Sequence, residues 1–403
     1  MTEALRSVEQ FKASVGPEVE FLLCCARLDL PENGRRRIQE LLAGTLDWTV
    51  VMALAQRHGL RPLLYRHLNM LGPAAIPRAM FAELWANYES NARRNQAMAR
   101  ALLDVLRRLN KCGIAAIPYK GPSLAEDVYG DLALREFGDL DILLRPRDVL
   151  PAQRVLQAHG YVLEYDLKPE VEAAFLRSHL NYHLVLFHDV GPVMVELHWK
   201  TDADFPVEPR DDERWWANLG TASLCGETIR CFTREELLLI LFLHGTKHAW
   251  SSLGWLVDVV ELVRRHPDLE WDWITGKAER LGCQLRLGVG LCLANHLLEM
   301  PLPDKIKRKI EGLPRVRSLA AEILSMLFNA SFDEMNAFER LHFNLSLYDR
   351  SWQKITHGTS VVLEPSLLEW SRWPLPRYLH GVYLPLRFAR LLAKYVRQAI
   401  DRR

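Results

Sequence analysis

The chain has 403 residues, of which 49% are hydrophobic and 25% charged, and a formal net charge of +1. That is the composition of an ordinary folded protein with room for two or three domains. The near-neutral charge excludes a global field that would steer nucleic acid, a membrane surface or acidic substrates.

The seven cysteines are odd in number, scattered and without a C-x-x-C pair. This argues against a disulfide framework and a zinc ribbon, and each cysteine reads as a small buried hydrophobe. The first residues, "MTEALRSVEQ", are polar and mixed, unlike a secretory leader. The longest apolar run, "ELLLILFLHG", is about half of what a bilayer span requires. No membrane span and a cytoplasmic location are therefore expected.

Residues 1–112 read as a helical N-terminal region. "DWTVVMALAQRHGLRPLLYRHLNML" carries helical apolar spacing in a helix-turn-helix type pattern. A further helix is predicted through "RAMFAELWANYESNARRNQAMARALLDVLRRLNKCG", stopped by Gly113. Residues 113–205 read as a small α+β core with a mixed sheet. "GIAAIPYKG" is a strand leading into a turn, "PSLAEDVYG" a helix opened by proline and closed by glycine, and "LDILLRP" a strand. "RDVLPAQRVLQAHG" is a helix, "YVLEY" a strand, and "NYHLVLFH" and "VMVELHWK" two strands joined by a hairpin-type connection. After about residue 206 the strand signal fades, and residues 206–403 read as successive helices. "REELLLILFLHGTKHAW" and "LGWLVDVVELVRRH" read as successive helices, the polar positions of "LHGTKHAWSSLGWLVD" as one helical stripe continuing across them, and "FERLHFNLSLYDRSWQKI" as one helix. "THGTSVVLEPSLLEWSRWPLP" is the least structured stretch, and the basic C-terminal helix carrying Arg387 and Arg390 has a solvated face.

Side chains at i and i+2 of a strand share a face. Asp139 and Asp141 therefore project together while Leu140 and Ile142 enter the core. Two adjacent carboxylates repel unless a positive charge lies between them. The simplest such charge is a divalent cation, because Mg²⁺ takes one or two carboxylates together with phosphate oxygens and water. A third carboxylate is available in "VMVELHWK", where Glu196 and His198 face away from Val195 and Leu197. The bland readings of the D-x-D pair are a helix cap, a lone structural cation, or ion pairs with Arg135 and Arg145.

The stretch "YKGPSLAEDVYGDLALREFGDLDILL", followed by "VELHW", resembles the uncharacterised bacterial nucleotidyltransferases of the polymerase-β-type superfamily. It is similar, more loosely, to AbiEii-type toxin nucleotidyltransferases. The resemblance extends over most of residues 45–270. It implies that Tyr119-Lys120-Gly121 is the phosphate loop, that Asp139 and Asp141 are the metal-binding pair, and that Glu196 is the third metal-binding and catalytic carboxylate. The chain departs from the pattern in having Lys120-Gly121 for the usual Gly-Ser, and in a longer gap from Gly121 to Asp139.

Candidate nucleotide-binding residues surround these. Lys120 and Gly121 follow a strand and open a helix, where a backbone amide and a point charge can meet phosphate. Ser123 is either a phosphate ligand or a first-turn helix residue. Arg135 orients a carboxylate or phosphate, or makes a salt bridge. Lys247 and His248 lie on the predicted polar stripe with His244, Trp255 and Asp258; there Lys247 would meet the triphosphate and Trp255 stack on a base. His183 and His198 are partners of Glu196, general bases or satisfied structural histidines.

The expected activity is Mg²⁺- or Mn²⁺-dependent transfer of a nucleoside monophosphate from an NTP, with ATP the expected donor, releasing pyrophosphate. The acceptor is a hydroxyl or phosphate on a small molecule, peptide, sugar or RNA. The alternatives are a catalytically degenerate nucleotide-binding module, a same-fold enzyme tailoring a peptide or sugar product, and a toxin or tRNA-modifying member.

Overall fold

The structure is a computed structural model that describes residues 15–390 apart from 73–75, 166, 190, 192, 210–211, 330–334, 366, 376 and 388. Lys394, Arg397, Arg402 and Arg403 of the basic C-terminal stretch lie outside the described residues.

The N-terminal helices are α1 (Pro17–Cys25), α2 (Glu32–Ala43), α3 (Trp48–Arg57), α4 (Arg61–Leu71) and α5 (Arg78–Lys111). The Asp47 carboxylate accepts from the Thr49 and Val50 amides and so caps α3. Gly59 turns the chain into α4 at φ 67°, and Gly113 ends α5 at φ 72°, as its position predicts.

The five-stranded sheet contains β1 (Ala116–Pro118), β2 (Asp139–Leu144), β3 (Tyr161–Leu163), β4 (His183–His188) and β5 (Met194–His198), in the order β1-β2-β5-β4-β3. Strands β2 and β5 are parallel and the other pairs antiparallel, which is the mixed sheet expected. Between β1 and β2 the short helix α6 (Gly121–Leu124) runs into a π-turn, Ala125–Tyr129, closed by Gly130 at φ 69°. Helices α7 (Val149–Gln157) and α8 (Pro169–Arg177) complete this region.

Strand alternation divides the sheet into two different faces. Leu140, Ile142, Val195 and Leu197 join Ala99, Leu102 and Leu103 of α5 and Ala152 and Leu156 of α7 in one core. Ile117 and Leu143, on the opposite face, belong to a second and larger core. That core also contains Leu22, Ile38 and Leu64 from the N-terminal helices and Leu239, Val260 and Leu293 from helices beyond residue 233. Helices that precede and follow the sheet in sequence thus bury their apolar faces against each other. His58 strengthens this junction: its carbonyl accepts from the Gly254 amide at 3.0 Å, and its Nδ1 accepts from the Leu253 amide at 3.2 Å.

Strands do not end near residue 206. After α9 (Glu213–Ala217), β6 (Gly220–Leu224) and β7 (Glu227–Cys231) form an antiparallel hairpin. Its Cys225-Gly226 turn has φ of 50° and 82°, the left-handed pair that matches strand twist.

Then come α10 (Arg234–Lys247), α11 (Leu253–Arg265), α12 (Trp271–Leu281), α13 (Gln284–Leu298), α14 (Asp304–Glu311) and α15 (Pro314–Leu327). The two successive helices expected here are α10 and α11, but the stripe from His244 to Asp258 does not continue across them, because Ala249 and Trp250 both have φ of 50°. The break sends the Trp250 ring into the core against glycines: a Cβ on Gly245 would lie 2.4 Å from it, and one on Gly290 2.7 Å.

The helix expected over "FERLHFNLSLYDRSWQKI" is likewise two, α16 (Ala337–Ser346) and α17 (Ser351–Leu363). Asp349 leaves the helical path to accept from the Gln284 and Leu285 amides at 2.7 and 2.9 Å, satisfying the start of α13. Helix α17 carries the stretch expected to be least structured as far as Leu363, and α18 (Leu367–Arg372) follows. Arg387 and Arg390 are not simply solvated, because both pair with the fully buried Glu369. No described helix is long and apolar enough to cross a membrane. No disulfide joins any of the cysteines.

Candidate active site

A cleft of about 500 Å³ opens between the larger-core face of the sheet and helices α10 and α11. Asp139, Glu196, His183 and His198 line the sheet side. Lys120, Arg135, Tyr182, Lys247, His248 and Trp255 line the rest. The β2–β5 register places Asp141 opposite Glu196, and the β4–β5 register places His183 opposite His198.

Asp141 lies beneath the cleft, 2% exposed. Its Oδ1 accepts from Lys120 Nζ at 2.8 Å and lies 3.1 Å from His198 Nε2. Its Oδ2 is buried and has no hydrogen-bond partner among the described residues. Burial alone would raise this carboxyl, but the Lys120 ammonium and the His198 hydrogen bond outweigh it and hold it well below the usual carboxylate range. Asp139 has the opposite environment: burial and the neighbouring Asp141 charge push its carboxyl up. Burial opposes the charge on Lys120 and His198 too, yet both are shifted upward by their carboxylate partners, Asp141 foremost. Glu196 Oε2 lies 3.1 Å from His198 Nε2, which lowers its carboxyl against the effect of burial. Part of the positive charge that the aspartate pair demands is therefore supplied by the chain itself.

The oxygen donors also suit a hard divalent cation. Asp139 and Glu196 face the cleft on one side of the sheet, and Asp141 Oδ2 is a buried acceptor without a partner among the described residues. Removing the repulsion between Asp139 and Asp141 is what a bound cation would achieve there.

Arg135 forms a two-pronged pair with Asp258 of α11, Nε to Oδ1 at 2.8 Å and Nη2 to Oδ2 at 2.9 Å. Tyr129 adds a 2.6 Å bond to the same carboxylate. Arg135 Nη1 is buried without a partner among the described residues, leaving donors for an anion in the cleft. Lys247 donates to Tyr182 Oη at 2.6 Å and lies 4.2 Å from the centre of that ring. His244, His248 and Trp255 form an aromatic wall with ring centres 4.9–5.5 Å apart.

Two expected nucleotide contacts are not brought to the cleft. Ser123 is a buried first-turn residue of α6, and its Oγ has no hydrogen-bond partner among the described residues. Gly121 has φ 54°, and a Cβ there would lie 2.9 Å from the Asp139 carbonyl. Its glycine character serves close packing of α6 on β2.

Other positioning residues carry only faint sequence signals. Asn91 and Asn95, four apart on the buried face of α5, each donate to the Arg135 carbonyl, at 3.1 and 2.7 Å. Two asparagines at that spacing in an otherwise apolar stripe are the available hint. Arg61 makes a bidentate pair with Glu136 at 3.0 and 2.9 Å, fixing the same loop from α4.

Burial holds His58, His67, His183 and His248 neutral, each pushed down to about 4. The unfolded chain protonates these rings near pH 6.5 and the folded chain only near 4. Between those values the unfolded state binds more protons, so stability rises with pH and is lost as pH falls. Near pH 5 these four rings together contribute a slope of roughly 5 kcal/mol per pH unit. Unfolding free energies flat from pH 7 to 5 would contradict this.

The family described as "uncharacterised nucleotidyltransferase" matches residues 44–299, a span that contains every cleft residue named above. No curated protein and no solved structure matches the chain.

Proposed function

This chain belongs to that family of uncharacterised nucleotidyltransferases, and from that premise we propose that it transfers a nucleoside monophosphate from an NTP to a hydroxyl or phosphate acceptor. The observation that carries the reading is the facing of two charge sets across one cleft: Asp139 and Glu196 on the sheet, and Lys120, Arg135 and Lys247 around them. An acceptor oxygen attacks the α-phosphorus, the bond to the β-phosphate bridging oxygen breaks, and pyrophosphate leaves.

Lys120, Lys247 and the unspent Nη1 of Arg135 are positioned to offset the triphosphate charge. Trp255 offers a stacking face for the base, and ATP is the donor we expect. Asp139, Asp141 and Glu196 would hold Mg²⁺ or Mn²⁺, which supplies charge neutralisation and lowers the pKa of an acceptor hydroxyl.

A second reading, a nucleotide-binding module without turnover, is favoured by the contacts of Lys120 and His198 with Asp141. One experiment separates them. The protein is incubated with each α-³²P-NTP, Mg²⁺ or Mn²⁺, and cell extract, beside an Asp139→Ala/Asp141→Ala variant. Transfer predicts a labelled acceptor and pyrophosphate with the wild type only. Label appearing equally with both proteins would sink the proposal. Tight NTP binding with no pyrophosphate would establish the module.

A further inference from the structure

Glu196 and His198 leave β5 on one face, and His183 stands directly across from His198 in the β4–β5 ladder. Such cross-strand neighbours are about 5 Å apart at Cβ. One ligand atom from each of His183, Glu196 and His198 lies within 4.8 Å of the other two. The two imidazoles stack with ring centres 5.1 Å apart and planes at 30°.

Each of these rings has a buried Nδ1 with no hydrogen-bond partner among the described residues. Buried polar atoms are normally satisfied, so two unspent nitrogens on adjacent rings call for an explanation. The other nitrogen of His198 is engaged, since Nε2 lies 3.1 Å from both Asp141 Oδ1 and Glu196 Oε2. A metal-ligating histidine is characteristically held with a carboxylate on one ring nitrogen and the ion on the other; Asp141 fills the first role here, and Glu196 must swing its carboxylate off Nε2 to reach the ion.

The chemistry of the donors selects the ion. Carboxylate and water suit Mg²⁺, whereas imidazole suits first-row transition ions. We propose that His183, Glu196 and His198 form a nitrogen-rich cation site that takes a first-row transition-metal ion in preference to Mg²⁺. It shares Glu196 with the carboxylate set of the transfer reading but does not require transfer to occur. Asp141, on this account, orients the His198 ring through Nε2.

The test reads metal binding directly. Full-length protein stripped with EDTA is titrated with CoCl₂ and followed by visible absorption. The expected result is the ligand-field spectrum of a nitrogen-containing site, displaced by equimolar Zn²⁺ and unmoved by a large excess of Mg²⁺. His183→Ala is expected to weaken Co²⁺ binding by at least about tenfold. His183→Gln, closer in size and polarity, serves if the alanine variant does not fold, as judged by circular dichroism. His159→Gln, at an exposed ring outside the cleft, keeps the spectrum.

Absence of the spectrum in the wild type, its persistence in a folded His183 variant, or displacement by Mg²⁺ as readily as by Zn²⁺ would each overturn the proposal. Transfer assayed on the same preparations keeps the two claims apart. A Co²⁺ spectrum without transfer supports the metal site against the transferase reading. Transfer with Mg²⁺ and no spectrum does the reverse.

Discussion

Asp139→Asn is expected to reduce nucleotidyl transfer by about a thousandfold or more while leaving the folded state as stable as the wild type. The two halves of this expectation have separate causes. Asp139 faces the cleft, and its carboxyl is pushed up by burial and by the Asp141 charge. Neutralising it removes repulsion that the folded chain bears at a cost, so melting should stay level or rise slightly. Transfer should collapse, because charge stabilisation at phosphoryl centres contributes several kcal/mol and about 4 kcal/mol corresponds to a thousandfold in rate. The check pairs the α-³²P-NTP assay with thermal melting of the same preparation. A variant that loses activity and stability together would show that Asp139 is structural.

Asp141→Ala should behave differently, losing stability as well as activity. The Asp141 carboxylate bonds Lys120 Nζ at 2.8 Å and sits 3.1 Å from His198 Nε2, with all three side chains largely buried. Removing one partner from a buried charge pair leaves an uncompensated ion and costs about 3–5 kcal/mol. Denaturant unfolding of the variant would measure this loss. The cause is tested by a second substitution: Lys120→Met in the Asp141→Ala background removes the stranded ammonium and should recover part of the stability. If Lys120→Met instead adds a further independent loss, the pair is not what holds this part of the cleft together.

The contrast between neighbouring aspartates could not have come from their spacing. Alternation in "GDLDILL" is enough to place Asp139 and Asp141 on one face and Leu140 and Ile142 on the other, as the structure has them. The same argument aligned Glu196 with His198. Which aspartate is buried under Lys120 and which faces the cleft depends on how α6 and β5 approach β2. No local period encodes that approach. The stripe from His244 to Asp258 shows the same limit from the other side. Its spacing suggested one continuous stripe, yet the chain breaks at Ala249-Trp250 so that Trp250 can occupy space left by Gly245 and Gly290, the latter on a different helix. Lys247, His248 and Trp255 still reach the cleft, but from two helices. The hairpin at 220–231 was missed because its alternating residues are short and mixed, and its signal lay in the Cys225-Gly226 turn.

By itself, then, the sequence determined what is periodic and local: the helical flanks, the mixed sheet between them, and the side of each strand on which its charges project. These follow from steric and hydrophobic rules acting within a few residues. Tertiary structure alone decided the partners. Arg135 meets Asp258, and Asn91 and Asn95 hold the Arg135 carbonyl, across 40 to 123 residues of chain. Such pairings are selected by burial, where a polar group must find a partner or pay its full desolvation cost, and burial belongs to the folded chain as a whole.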